Sequence, residues 1–200
     1  MKEFSNRYIF LYITTLVFLT TLLLTGVHIG LKPRQEANKK IEKAQQILRA
    51  AGYGDVDKSV AADKFNAVAT PIERNEREAY AIRCADNTNG TVVEVHGKGL
   101  WGPIWGYVVL ADDQETIKGV VFAHKSETPG LGDKITQEKF TSSFIGKKIV
   151  DQNGNFVSVR VLQKGKDNSV AERNRVDAIS GATLTSKGVD KMLKDCLTDK

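Results

Sequence analysis

Asp177-Ala178-Ile179-Ser180-Gly181-Ala182-Thr183-Leu184-Thr185-Ser186 stands between a polar loop and a segment of helical periodicity. In that segment Val189, Met192, Leu193, Cys196 and Leu197 recur at i, i+3, i+4, i+7 and i+8. This is the apolar stripe of a helix laid on a core. Ser180 reads as the cap of the helix, and the first-turn N–H groups beyond it point outward. Such an end favours an anion such as phosphate through its N–H groups and its dipole. Gly181 and Ala182 leave room for one, and Thr185 and Ser186 offer hydroxyls. The competing reading is an ordinary capped helix start, and on local physics alone that is the commoner outcome.

Upstream, Ala79–Cys84, Thr91–Val95, Ile104–Ala111 and Ile117–His124 are short, rich in Val, Ile and aromatics, and separated by turn residues. They read as strands, with Asp112-Asp113-Gln114 joining the last two as a hairpin. Lys139–Phe144 reads as helical, and Lys148–Val150 and Phe156–Leu162 as further strands around Asn153-Gly154. Strands joined by hairpins, with helices at the ends of the chain, predict an α+β fold with a largely antiparallel sheet.

Before the sheet, Ala37, Ile41, Ala44, Ile47, Leu48 and Ala51 follow helical spacing until Gly52 and Gly54, which predicts a stalk helix. Asp57–Val68 reads as a second short helix, and the polar run 71–78 as a connector. Tyr8–Leu31 contains no Asp, Glu, Lys or Arg over 24 residues. At the helical rise that is about 36 Å, against about 30 Å of hydrocarbon. Its apolar run exceeds that of a signal peptide, and no small-x-small site precedes Lys32, so the reading is an uncleaved single-pass anchor in the lipid bilayer. The expected organisation is a tail at 1–7, a transmembrane helix at 8–31, a helical stalk and connector at 32–78, and the functional domain at 79–200. Lys2 and Arg7 flank one end of the span and Lys32, Arg34, Lys39 and Lys40 the other. That balance leans towards a cytoplasmic domain.

The formal net charge is +5. The cations are interspersed rather than gathered in a stripe with aromatics between them, which argues against a nucleic-acid partner. Cys84 and Cys196 lie far apart in sequence, outside any CxxC and with no His cluster, so zinc and iron–sulfur sites lack ligands. Two packed free thiols are the expected state.

Two further loops are rich in glycine. Gly97-Lys98-Gly99-Leu100-Trp101-Gly102-Pro103-Ile104-Trp105-Gly106 brings bare backbone and flat aromatic surface together, suited to a ring or to a tight turn with core tryptophans. In Glu127-Thr128-Pro129-Gly130-Leu131-Gly132 a positive φ at Gly130 gives a type II turn. Its backbone N–H groups and the Thr128 hydroxyl are donors of the kind a heteroaromatic ring edge needs. Taken alone, this stretch reads equally as a plain loop.

With these three stretches quoted, the chain resembles the family of membrane-anchored FMN-binding domains. Asp177-x-x-Ser180-Gly181-Ala182-Thr183 is similar to that family's flavinylation motif, and Gly99-Leu100-Trp101-Gly102 and Glu127–Gly132 to its other two motifs. The resemblance implies that a flavin transferase, recognising Asp177, uses FAD to attach FMN through its phosphate to Thr183. It implies that Leu100, Trp101, Gly102, Glu127, Thr128, Gly130, Leu131 and Gly132 line the flavin pocket. Ser180, Gly181, Ala182, Thr185 and Ser186 would shape the phosphate end. Within the family the C-type subunit of Na+-translocating NADH:quinone oxidoreductases is the better match, with the G-type subunit of Rnf complexes as the alternative. The family implies electron relay among the other subunits of a complex in the bacterial inner membrane, with NADH as ultimate donor, a quinone as acceptor and Na+ exported. It places the flavin domain on the periplasmic side, and that placement is preferred to the small charge count. Gly97-Lys98-Gly99-Leu100-Trp101-Gly102 has the GxGxxG spacing, but it joins two strands instead of opening a helix, so no NADH site of this chain's own is expected. A non-redox membrane-tethered scaffold would account for anchor and stalk, but not for three ordered glycine-rich loops.

Overall fold

The computed structural model describes residues 5–74, 77–165 and 169–198. It divides into two units, Met1–Glu42 and Lys43–Lys200. Helix α1, Asn6–Ala50, begins in the first unit and ends in the second. Its stretch through Leu31 is exposed, and it is long and apolar enough to cross a membrane, as a single-pass anchor requires. The Thr20 hydroxyl donates back to the carbonyls of Leu16 and Val17, both at 3.0 Å, so this polar group is satisfied within the helix. Pro33 lies inside α1 rather than ending it. It forfeits one bond to the preceding turn but fixes φ at a helical value, and good helix formers on both sides carry the helix through.

The end of α1 is closed by Gly52 at φ +88°. Gly52 N–H donates to Arg49 at 3.1 Å and Tyr53 N–H to Leu48 at 3.0 Å, the paired bonds of a Schellman motif. Helix α2, Lys58–Val68, then leads directly into the sheet.

Five strands form an antiparallel meander in sequence order. They are β1 Ala69–Arg74, β2 Arg77–Arg83, β3 Asn89–Lys98, β4 Pro103–Ala111 and β5 Ile117–His124. The fold is α+β, and the strands read from the sequence are present with ends shifted by a few residues. The polar run 71–78 is not a plain connector: it supplies part of β1 and the start of β2. β1 is exposed from Thr70 to Glu73, as a polar strand at the edge of a sheet can be.

Side chains of β3 and β4 alternate between two cores, as the two-residue period requires. Val93, Val95, Val108 and Leu110 join Phe122, Phe144, Val189 and Leu193 on one face. Val92, Tyr107 and Val109 join Ile47, Ala50 and Ile82 on the other. On this second face Gly119 admits the end of α1, since a Cβ there would stand 2.1 Å from the Ala50 carbonyl. Burial there, with the negative charge of Glu94 close by, pushes the Tyr107 phenol well up.

After β5 come a 3₁₀ turn at Gly132–Thr136, helix α3 Glu138–Thr141 and a second 3₁₀ turn at Ser142–Phe144. The segment 148–162 departs from the two strands expected there. It yields single bridges, Thr116 to Lys148 and Val150 to Phe156, and only β6, Arg160–Leu162, is a strand. Its partner is β7, Arg175–Asp177, in a parallel two-stranded sheet. Asp151 takes over the turn, accepting from the N–H groups of Asn153 and Asn155 at 2.8 and 2.9 Å. Helix α4, Thr183–Leu197, closes the fold, with Val189, Met192, Leu193 and Leu197 buried as its stripe predicts and Cys196 half-buried beside the core. Neither Cys84 nor Cys196 forms a disulfide.

Candidate functional site

The β3–β4 hairpin is closed by Gly99 N–H donating to the Gly102 carbonyl at 2.8 Å. That short loop lifts Leu100 and Trp101 out of the fold, 45% and 66% exposed. The loop after β5 makes the expected type II turn, with Gly130 at φ +77° and Leu131 N–H donating to the Thr128 carbonyl at 3.1 Å. Leu131 is 43% exposed. The third loop passes through Gly181 at φ +80° into α4, whose second residue, Leu184, is 55% exposed.

Glu127 draws these three loops together. Its side chain is only 4% exposed. One oxygen accepts from Trp101 N–H at 3.0 Å and the other from the Thr185 hydroxyl at 2.6 Å. The packing around it is backbone-close. A Cβ at Gly99 would lie 2.4 Å from Glu127 Oε1, and one at Gly132 would lie 2.4 Å from Oε2 and 2.8 Å from Thr185 Oγ1. Leu131 crosses the third loop, its Cδ2 3.0 Å from where a Gly181 Cβ would stand. Gly188 seats α4 against the end of β3, where a Cβ would come within 2.4 Å of the Lys98 carbonyl. Gly102 in turn faces Ser126, with 2.4 Å from its notional Cβ to Oγ. Glycines in these loops therefore serve close approach more than turn geometry.

The start of α4 departs from the reading in which Ser180 caps it. The N-cap is Ala182, with no side-chain bond to the first turn, and Ser180 is exposed two residues earlier. Gly181 takes the left-handed bend between them, so the Ser180 side chain leaves the helix axis. Thr185 and Ser186 do not offer their hydroxyls outward either: both are 1% exposed. Thr185 donates to Glu127, and Ser186 Oγ accepts from Ile179 N–H at 3.1 Å. Thr183 is different. It is the first residue of α4, half-buried, and its Oγ1 accepts from the Gln163 amide at 3.2 Å. Gln163 is a contact that nothing in its local sequence marks. It reaches Thr183 only because β6 pairs with β7 and Asp190 of α4 anchors β6, through Arg160 Nε at 2.9 Å and Val161 N–H at 2.7 Å.

These features fit a planar cofactor with a phosphate tail. Leu100, Trp101, Leu131 and Leu184 are large apolar groups held out of the core around one site, the surface a flat ring would cover. The first turn of α4 has N–H groups with no side-chain cap and a hydroxyl at its first position, the requirements of a phosphate seat. Asp177 ends β7 and is exposed.

Fold and site thus define a small α+β cofactor-binding domain carried behind an apolar helix. The chain belongs to the FMN-binding domain family, which matches residues 99–198. Among its relatives, the C-type subunit of the Na(+)-translocating NADH-quinone reductase of Haemophilus ducreyi is 29% identical over 97% of this chain and 91% of its own. The corresponding subunit of Neisseria meningitidis serogroup B is 29% identical over 94% and 87%. Two solved structures share the fold. The same reductase subunit from Parabacteroides distasonis superposes with a TM-score of 0.73 at 37% identity, covering 84% of this chain and 93% of that one. NqrC of Shewanella oneidensis gives 0.65 at 26%, covering 80% and 93%.

Proposed function

We propose that this chain is the FMN-carrying, electron-relaying subunit of a Na+-translocating NADH:quinone reductase, with FMN held as a phosphoester on Thr183. The observation that carries this reading is the convergence of three loops, through Glu127, on an uncapped helix start whose first residue is a threonine. When bound, FMN supplies reversible electron transfer at a ring remote from its phosphate. The chain's own residues bind and position. The open first turn of α4 and its dipole stabilise the phosphate charge. Leu100, Trp101, Leu131 and Leu184 cover ring surface and exclude water, and the 128–131 turn with Thr128 supplies polar contacts. Glu127 holds the loops in register from beneath.

Attachment forms the Thr183 Oγ–P bond as the bond from the same phosphorus to AMP in FAD breaks, with loss of the hydroxyl proton. A flavin transferase catalyses this, reading Asp177 at the exposed end of β7. Residues 8–31 anchor the chain in the inner membrane, with the domain that contains β1 to β7 on the periplasmic side beside the other subunits. The test is a peptide mass spectrum across Asp177–Lys187 from protein co-expressed with the transferase. A mass increment of FMN on Thr183 supports the reading. Unmodified peptide, or the increment on Thr185, refutes the attachment site. Protease digestion of spheroplasts reads the topology separately.

A further inference from the structure

A second concave region lies beside the motif. A cleft of about 700 Å³ opens between the segment from Lys134 to Lys147 and β7 with the residues after it. Its floor is apolar: Phe140 and Val176 are buried, and Ala178 and Ile179 are half-buried. Its walls carry Lys134, Lys139, Lys147, Lys164 and Arg175 against Glu172 and Asp177, five cations to two carboxylates among the described residues. The Lys147 ammonium is fixed in the wall by donating to the Glu172 carbonyl at 2.8 Å. At one end the cleft reaches Ser180, and Lys164 directly follows the Gln163 that contacts Thr183.

Gathering five cations around a concave apolar surface is unfavourable in isolation, because low-dielectric walls strengthen their repulsion. An anion that enters the cleft relieves it. The volume lies within the range of about 300–1,000 Å³ usual for small-molecule sites, and an apolar floor gains from covering by a hydrophobic body. A lining with several ammonium groups and one guanidinium suits the oxygens of a phosphate dianion better than a single carboxylate. We propose that this cleft binds a small organic phosphate, its dianionic head held by Lys139, Lys164 and Arg175 and its apolar body on the Phe140–Ile179 floor. The cleft adjoins the third loop and shares Asp177 to Ser180 with it, but binding there does not depend on a flavin being attached.

The test is calorimetric titration of the full chain in detergent with phenyl phosphate, and with inorganic phosphate as a charge-only probe. It is run on wild-type protein co-expressed with the transferase and on Thr183→Ala. The expected result is saturable one-to-one binding of phenyl phosphate to both forms, about tenfold tighter than inorganic phosphate because of the covered floor. Lys139→Ser with Lys164→Ser, both exposed positions, should weaken it by about fivefold or more, with an unchanged thermal melt. Absence of saturation overturns the proposal, as does equal affinity in the double variant. Binding to Thr183→Ala but not to flavin-loaded protein also overturns it, since the cleft would then be part of the flavin's own seat. Wild-type protein that carries no flavin refutes the attachment reading, while the titration still tests the cleft.

Discussion

Helices α2 and α4 begin in opposite ways. At α2, Asp57 closes the first turn, its Oδ1 accepting from Ser59 N–H at 2.8 Å and from the Ser59 hydroxyl at 2.6 Å. At α4, the capping position is an alanine with no side-chain bond. Hydroxyl residues cluster around α4 far more densely, yet those of Thr185 and Ser186 are turned into the fold. The difference teaches that a helix end can be rich in capping residues and still be left open. At α2 the polar side chain serves the helix. At α4 the polar side chains serve the neighbouring loops, and the helix end remains available to a ligand.

The contrast is broken most severely at Thr183. Thr183→Ala should abolish covalent flavin entirely, seen as loss of the fluorescent band after denaturing electrophoresis, while Thr183→Ser retains it. Persistence of the band in the alanine variant would place the attachment elsewhere.

Next is the latch that keeps the α4 hydroxyls inward. Glu127→Ala leaves the Thr185 hydroxyl and Trp101 N–H without their acceptor in a buried setting, at a cost of about 2–4 kcal/mol. Tm should fall by roughly 5–15 °C. Glu127→Gln keeps one acceptor oxygen and should cost about half as much. A melt unmoved by either change would show that the loops do not depend on this carboxylate.

Gly188→Ala poses a contest between two effects. Alanine gains about 1 kcal/mol of helix propensity, but its Cβ would meet the Lys98 carbonyl at 2.4 Å. Backbone cannot yield as a side-chain tip can, so the clash should win, with net destabilisation of about 1–3 kcal/mol. Denaturant unfolding decides the sign.

The smallest pair of effects tests the two helix starts themselves. Asp57→Ala should cost about 1 kcal/mol, the usual value of an N-cap. Ser180→Ala should cost less than about 0.5 kcal/mol, because Ser180 is exposed and caps nothing. Equal losses in urea midpoint would erase the distinction between the two ends.

Much of the architecture was legible because it rests on local periodicity. The Val-, Ile- and aromatic-rich runs of β3 to β5, the stripe of α4 and the charge-free run from Tyr8 to Leu31 each encode their burial directly. The edge strand β1 was not legible, because a strand with one exposed face is polar enough to read as a loop. At the site, the Gly130 turn follows from Pro129-Gly130, since only glycine adopts that φ freely.

The sequence by itself determined β2 to β5, the main helices, the long apolar span, and the three loops as separate chemical statements. What only the tertiary structure decided is how those loops use their residues. Glu127, expected among the flavin contacts, is an inward-facing acceptor for Trp101 N–H and the Thr185 hydroxyl. Ser180 is not a cap, and Gln163 is brought to Thr183 by the β6–β7 pairing. The Glu127 and Gln163 contacts each depend on partners 20 or more residues away. Local pattern fixes which way a backbone runs, but a polar side chain takes the partner that folding places beside it.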